Sequence, residues 1–199
     1  MNVKLHISID FIAGIWYQGV LQFNNYNLNL QLLTASTDQS TVATAVDRAK
    51  YFITQELNHT VFIHSENESV AMLLTEIGAD VTTLPEDPVD QVIGIMLYCK
   101  LNTIMEQQVI LTSLDISSVL GDSVWYNHTE DDVLGPFAEP GWWFDNDLCH
   151  NDLKDDQPND NVVKVDTAGW RDYGLEWPRE PNQHTATIVY PDFRKNENK

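Results

Sequence analysis

The chain has 199 residues, 43% hydrophobic and 10% aromatic, and a formal net charge of -19. That is enough apolar content for one domain, or one domain with an appendage, and it excludes global disorder. The charge excludes direct binding to phosphate backbones or anionic membranes, which draws on Lys and Arg, and favours basic protein surfaces or cations.

Taken in order, Val3, Leu5, Ile7 and Ile9 alternate with Lys4, His6, Ser8 and Asp10, the period of a half-buried strand. Ala13 to Phe23 continues towards a hairpin, with Asn24-Asn25 as its turn signal. Leu28, Leu30 and Leu32 alternate again. The period then becomes helical at Val42, Val46, Ala49, Ile53 and Leu57. A short buried strand follows at Val61–Ile63. Ser65 to Glu68 reads as a capping box for a helix with Val70, Leu73, Leu74 and Ile77 on its apolar face. Gly78 suits the stop of that helix, and Ala79 to Thr83 is a short strand.

Asp87 as N-cap, Pro88 at the first helical position and Asp90 near the positive dipole end predict the central helix. Its stripe is Val89, Val92, Ile93, Met96, Leu97, Leu101, Ile104 and Met105. Val109 to Ile116 is a further strand. Residues 1–117 are therefore predicted to form an α/β core domain, a mixed sheet of about five strands covered by three helices. Residues 118–199 change character. Gly and Pro become frequent, and an acidic, loop-rich, Trp-containing extension is expected to pack on the core, with short strands at Val162–Val165 and Thr185–Tyr190 and a fraying tail over Arg194–Lys199.

From Asp115 to Asp166 there are 13 Asp and Glu against two Lys, with Trp125, Trp142 and Trp143 among them. Solvated acidic tails have few aromatics, so this stretch should be ordered and carry a strong negative field. The candidate partner-binding residues are Trp125, Glu130, Asp131, Asp132, Trp142, Trp143, Asp145 and Asp147, since Trp is enriched at interaction hot spots. Trp142 and Trp143 can equally serve as core plugs. Asp145, Asp147, His150 and Asp152 are candidate ligands for a hard divalent cation, the only cofactor in view; the competing reading is a solvated loop, because the glycine and distal glutamate of a calcium loop are missing. His128 with Glu130, Asp131 and Asp132 has the residue types for acid–base chemistry, but adjacent carboxylates usually point apart.

Other arrangements argue against chemistry. His6, Ser8 and Asp10 share a strand face about 7 Å apart, too far for a relay. Cys99 lies inside the apolar helix and reads as structural. With Cys149 it makes no disulfide framework, which suits a reduced compartment. No glycine-rich phosphate loop occurs, so no catalytic residue is assigned. No secretory leader or membrane span is visible, and a cytoplasmic location is expected.

Three patches, Thr83 to Gln91, Gly121 to Tyr126, and Gly135-Pro136-Phe137 with Gly141-Trp142-Trp143, resemble uncharacterised proteins of large tailed bacteriophages over about residues 40–145. The resemblance implies context alone: a viral protein acting in the host cytoplasm or packed into a virion. The functional expectation is a non-enzymatic acidic protein-interaction module, an inhibitor imitating nucleic-acid charge on a host protein. The alternatives are a structural or assembly component of a phage particle and a divalent-metal-dependent hydrolase.

Overall fold

The computed structural model describes residues 3–132, 134–138, 141–146 and 169–178. The strands expected at Val162–Val165 and Thr185–Tyr190, and the tail Arg194–Lys199, lie outside these residues. No helix among the described residues is long and apolar enough to cross a membrane.

Strands β1 (Lys4–Tyr17) and β2 (Val20–Thr34) form one long antiparallel hairpin, in register from Lys4 opposite Leu33 to Tyr17 opposite Val20. Its turn is Gln18-Gly19, at φ 49° and 79°. Positive φ at both positions is the two-residue geometry whose twist matches the flanking strands. Asn24-Asn25 is not the turn but strand interior. Asn24 is buried, and its side-chain oxygen accepts the Leu120 N–H at 3.0 Å, so a tertiary bond overrides the local turn preference.

Helix α1 (Gln39–Tyr51) is capped by Asp38, which accepts the N–H groups of Ser40 and Thr41 at 3.4 and 2.9 Å. Hydrogen bonds from the Ser40 and Thr41 side chains, then from the Thr41 backbone, hold the Asp38 carboxyl down at about 2. The chain then runs through β3 (Val61–His64), α2 (Glu68–Glu76), β4 (Val81–Leu84), α3 (Asp90–Ile104), β5 (Val109–Ser118) and β6 (Tyr126–Thr129).

Three details of these elements depart from expectation. The turn before α2 is capped by His64, whose Nδ1 accepts the Glu66 N–H at 2.9 Å, rather than by Ser65. On α2 only Ala71 and Leu74 are buried, while Leu73 and Ile77 are 57% and 73% exposed. Helix α3 starts two residues later than its sequence signals, because the backbone is still extended at Val89; Asp87 caps nothing and Val89 is exposed.

The sheet order is β4-β3-β1-β2-β5-β6, with β4, β3 and β1 parallel and the remaining neighbours antiparallel. The sixth strand comes from the acidic extension, so that region completes the sheet. Leu5, Ile7, Ile9 and Phe11 share a face with Leu32, Leu30, Leu28 and Tyr26, and α1 and α3 cover it to make the main core. Tyr26 stacks on Phe11 with centroids 4.8 Å apart. Helix α2 lies on the opposite face, over Val61, Ile63 and Val81 with Trp16. His6, Ser8 and Asp10 stay exposed on that second face, in a row. The Ser8 hydroxyl donates to Asn29 across the strands at 2.6 Å.

Candidate interaction site

The connection from β5 to β6, residues 119–125, is a loop closed by hydrogen-bonded turns. Asp122 and Ser123 both take positive φ, 54° and 57°. The Ser123 N–H donates to the Ser118 carbonyl at 2.9 Å and the Val124 N–H to the Gly121 carbonyl at 3.1 Å. Val119 N–H is tied to the Asn25 carbonyl, and Leu120 N–H to the Asn24 side chain. This bonding fixes the backbone and leaves the apolar side chains outside: Val119, Leu120, Val124 and Trp125 are 62%, 47%, 50% and 51% exposed. Two large apolar side chains on each side of residues 121–123 are therefore exposed along this connection. Past β6, the Thr129 N–H donates to Asp132 Oδ2 at 2.6 Å, closing a turn on which Glu130, Asp131 and Asp132 are all exposed.

Beneath this surface lies a seam of buried polar groups. Asp90 opens α3 and is buried; its Oδ2 accepts the Ser118 hydroxyl at 2.6 Å. Ser118 Oγ in turn accepts the Gly121 N–H at 3.0 Å. A Cβ at Gly121 would run into Asp90 Oδ2, so a side chain there would displace the Asp90 carboxylate. Burial pushes the Asp90 carboxyl up, against the lowering effect of Ser118. The Tyr26 hydroxyl is buried beside the Asn24 side chain; burial raises it, and Asn24 lowers it. One turn along α3, Gly94 leaves a notch filled by His128, whose Nε2 is buried without a partner. Burial pulls the His128 imidazole down, and Asp132 and Asp115 only partly offset it. His128 therefore faces the core while Glu130, Asp131 and Asp132 face solvent, and the four do not form one acid–base cluster.

No family model matches this chain, and no curated protein matches it. Among solved structures it is similar to an uncharacterized protein from Wolinella succinogenes, with TM-score 0.49 and 13% identity over 66% of this chain and 99% of that one. It is also similar to 6-pyruvoyltetrahydropterin synthase from Plasmodium vivax, with TM-score 0.42 and 11% identity over 64% of this chain and 97% of that one. For the Plasmodium falciparum 6-pyruvoyl tetrahydropterin synthase the values are 0.39 and 13%, over 64% and 96%. Likenesses of this degree assign neither residues nor an activity.

Trp142 and Trp143 belong to the core. They are 4% and 7% exposed, meet edge to face at 6.0 Å, and donate their indole N–H groups to the carbonyls of Thr83 and Phe137 at 3.4 and 3.3 Å. A buried cation holds the segment that carries them. Lys100, fully buried on α3, donates from Nζ to the carbonyls of Trp142 and Asp145 at 2.9 and 2.7 Å. A second buried cation does the same elsewhere. Arg48 on α1 donates to the Leu175 carbonyl at 2.7 Å and to Glu106 at 2.9 Å. Its guanidinium lies 3.9 Å from the ring of Trp177 and 4.8 Å from that of Trp170. Burial lowers the Arg48 guanidinium from its ordinary value, and Glu106 works against that.

Asp145 is exposed, whereas Asp147, His150 and Asp152 lie outside the described residues, as does Cys149. Among the described residues no three His, Cys, Asp or Glu come together as a metal site. Cys99 is buried, and burial pushes its thiol up to about 11, which leaves it unreactive. Both buried cations carried a signal in the sequence. Arg48 falls at helical spacing with Ala45, Ala49 and Phe52, and Lys100 with Met96, Leu97 and Ile104, so each sits within an apolar stripe.

Proposed function

We propose that this protein is a non-enzymatic interaction module that docks through Val119–Asp132 onto a basic, partly apolar surface of another protein. The observation that carries the reading is the outward-turned Val119, Leu120, Val124 and Trp125 on a hydrogen-bonded loop, followed after β6 by exposed Glu130, Asp131 and Asp132. Trp supplies a large, low-entropy anchor, and the carboxylates supply steering and selectivity for Lys and Arg. In the phage setting implied by the sequence resemblance, the partner is a host protein whose basic surface handles nucleic acid, and the carboxylates stand in for phosphates.

Affinity capture from bacterial lysate, eluted in salt steps and read by mass spectrometry, tests this. The expected result is one stoichiometric basic protein, released by moderate salt, displaced by duplex DNA, and lost when Trp125→Ala or Glu130→Gln/Asp131→Asn/Asp132→Asn is used as bait. A partner whose affinity stays flat from low to high salt removes the electrostatic reading.

A further inference from the structure

Under the exposed turn is a cavity of about 240 Å³, lined by Ile15, Tyr17, Asn24, Asp90, Leu120 and Tyr126 among others. Asp90 is 9% exposed. Only its Oδ2 is engaged, by Ser118; among the described residues Oδ1 accepts no hydrogen bond and no Lys or Arg pairs with the carboxyl. A buried carboxyl without a cation is costly, and the first turn of α3 offsets only part of that cost. Tyr17 and Tyr126 are 36% and 37% exposed, so the rings that line the cavity are reachable from solvent. Asp87 and Asp122, both exposed, flank the lining residues Pro88 and Gly121 in the chain.

We propose that this cavity receives the guanidinium of an arginine side chain presented by the basic partner. The inference rests on the docking reading above and names what the partner inserts. A drug-sized ligand needs roughly 300–1,000 Å³, more than is present, whereas one side chain fits. The guanidinium supplies the missing charge, N–H donors for Asp90 Oδ1 and for the second lone pair of the Asn24 oxygen, and a flat face for the tyrosine rings. A lysine supplies the charge without the plane.

The test is a titration of the isotope-labelled full chain with Nα-acetyl-arginine methylamide, following the amide signals of Leu120, Gly121 and Tyr126 by NMR. Lysine and norleucine methylamides serve as controls. Saturable shifts are expected with the arginine compound, about threefold weaker binding with lysine, and none with norleucine. Asp90→Asn, which preserves shape, is expected to weaken arginine binding about tenfold or more. Tyr126→Ala, at a partly exposed position, is expected to weaken it about threefold with the spectrum otherwise intact. Should Asp90→Asn lose its spectral dispersion, the Tyr126→Ala result decides. Arginine binding equal to that of norleucine, or unchanged in the variants, overturns the proposal. The two readings fail separately: a captured partner that depends on Trp125 and the Glu130–Asp132 carboxylates, yet binds Asp90→Asn like the wild type, keeps the docking surface and removes the arginine pocket.

Discussion

Between Val119 and Trp125 the chain turns its large apolar side chains out to solvent; between Gly141 and Asn146 it turns two of them in. Composition does not separate the two stretches, since both are aromatic and both sit in the acidic half. What separates them is the core surface each one crosses. The inner stretch meets Lys100, which binds two of its carbonyls and so fixes the loop over an apolar bed that includes Phe52. The outer stretch is held by backbone bonds and by Asn24, and those bonds satisfy the turn without drawing any indole inward. Buried position follows where the core offers donors for a loop's carbonyls, because a buried loop otherwise carries unpaired backbone groups.

The sharpest break in this comparison comes from paired truncations. Trp142→Ala should cost about 3–5 kcal/mol of stability, as large core aromatics do. Trp125→Ala should change it by less than about 0.5 kcal/mol. Urea unfolding of both variants checks the contrast, and equal losses would erase it. Next in size is Lys100→Met, which keeps the bulk but strands the Trp142 and Asp145 carbonyls, at about 2–4 kcal/mol. Red-shifted tryptophan emission before global unfolding would mark release of the inner loop. Arg48→Met should follow at about 1–3 kcal/mol, with protease cleavage appearing first within residues 169–178.

The smallest effect is in pH. The His128 imidazole is held below its ordinary value, so the unfolded chain takes up this proton first as the solution is acidified. Its contribution is complete above the unfolded value of about 6.5 and is lost as pH falls through the folded one. Urea midpoints should therefore drop from about pH 7 towards about pH 5, and His128→Gln should flatten that drop. Asp90 works in the opposite sense: its raised carboxyl favours the fold under acid conditions and loses that contribution as pH rises. The slope is best read in an Asp90→Asn background.

Much of the core was legible because apolar periodicity reports which face is buried. The strands β1, β2, β3 and β5 and the helices α1 and α3 follow from their repeats. The misplaced hairpin turn shows the limit. Asn24-Asn25 outranks Gln18-Gly19 as a local turn signal, and only the distant Leu120 N–H makes Asn24 a strand residue. Strand β6 was hidden for a similar reason. It has four residues, of which one is buried, and that one is a histidine where a hydrophobic residue would be expected; the notch at Gly94 that admits His128 is visible only in three dimensions. For the proposed docking surface, the sequence offers Trp125 and the Glu130–Asp132 carboxylates by type, and the structure places all four at exposed positions. The sorting of Trp125 from Trp142 and Trp143 was not legible, because it depends on Lys100.

The long opening hairpin also bears on how the chain reaches its fold. Its two strands are joined by two residues and pair from the turn outwards, so each new bond closes only a slightly larger loop than the last. That pair then sits at the middle of the sheet, with β3 docking on one side and β5 on the other. Both outer strands arrive from much farther along the chain, and each needs the hairpin as its template. Assembly should therefore nucleate at Gln18-Gly19, and strain placed there by Gly19→Val should slow refolding more than it hastens unfolding, a partition that stopped-flow kinetics in urea would measure.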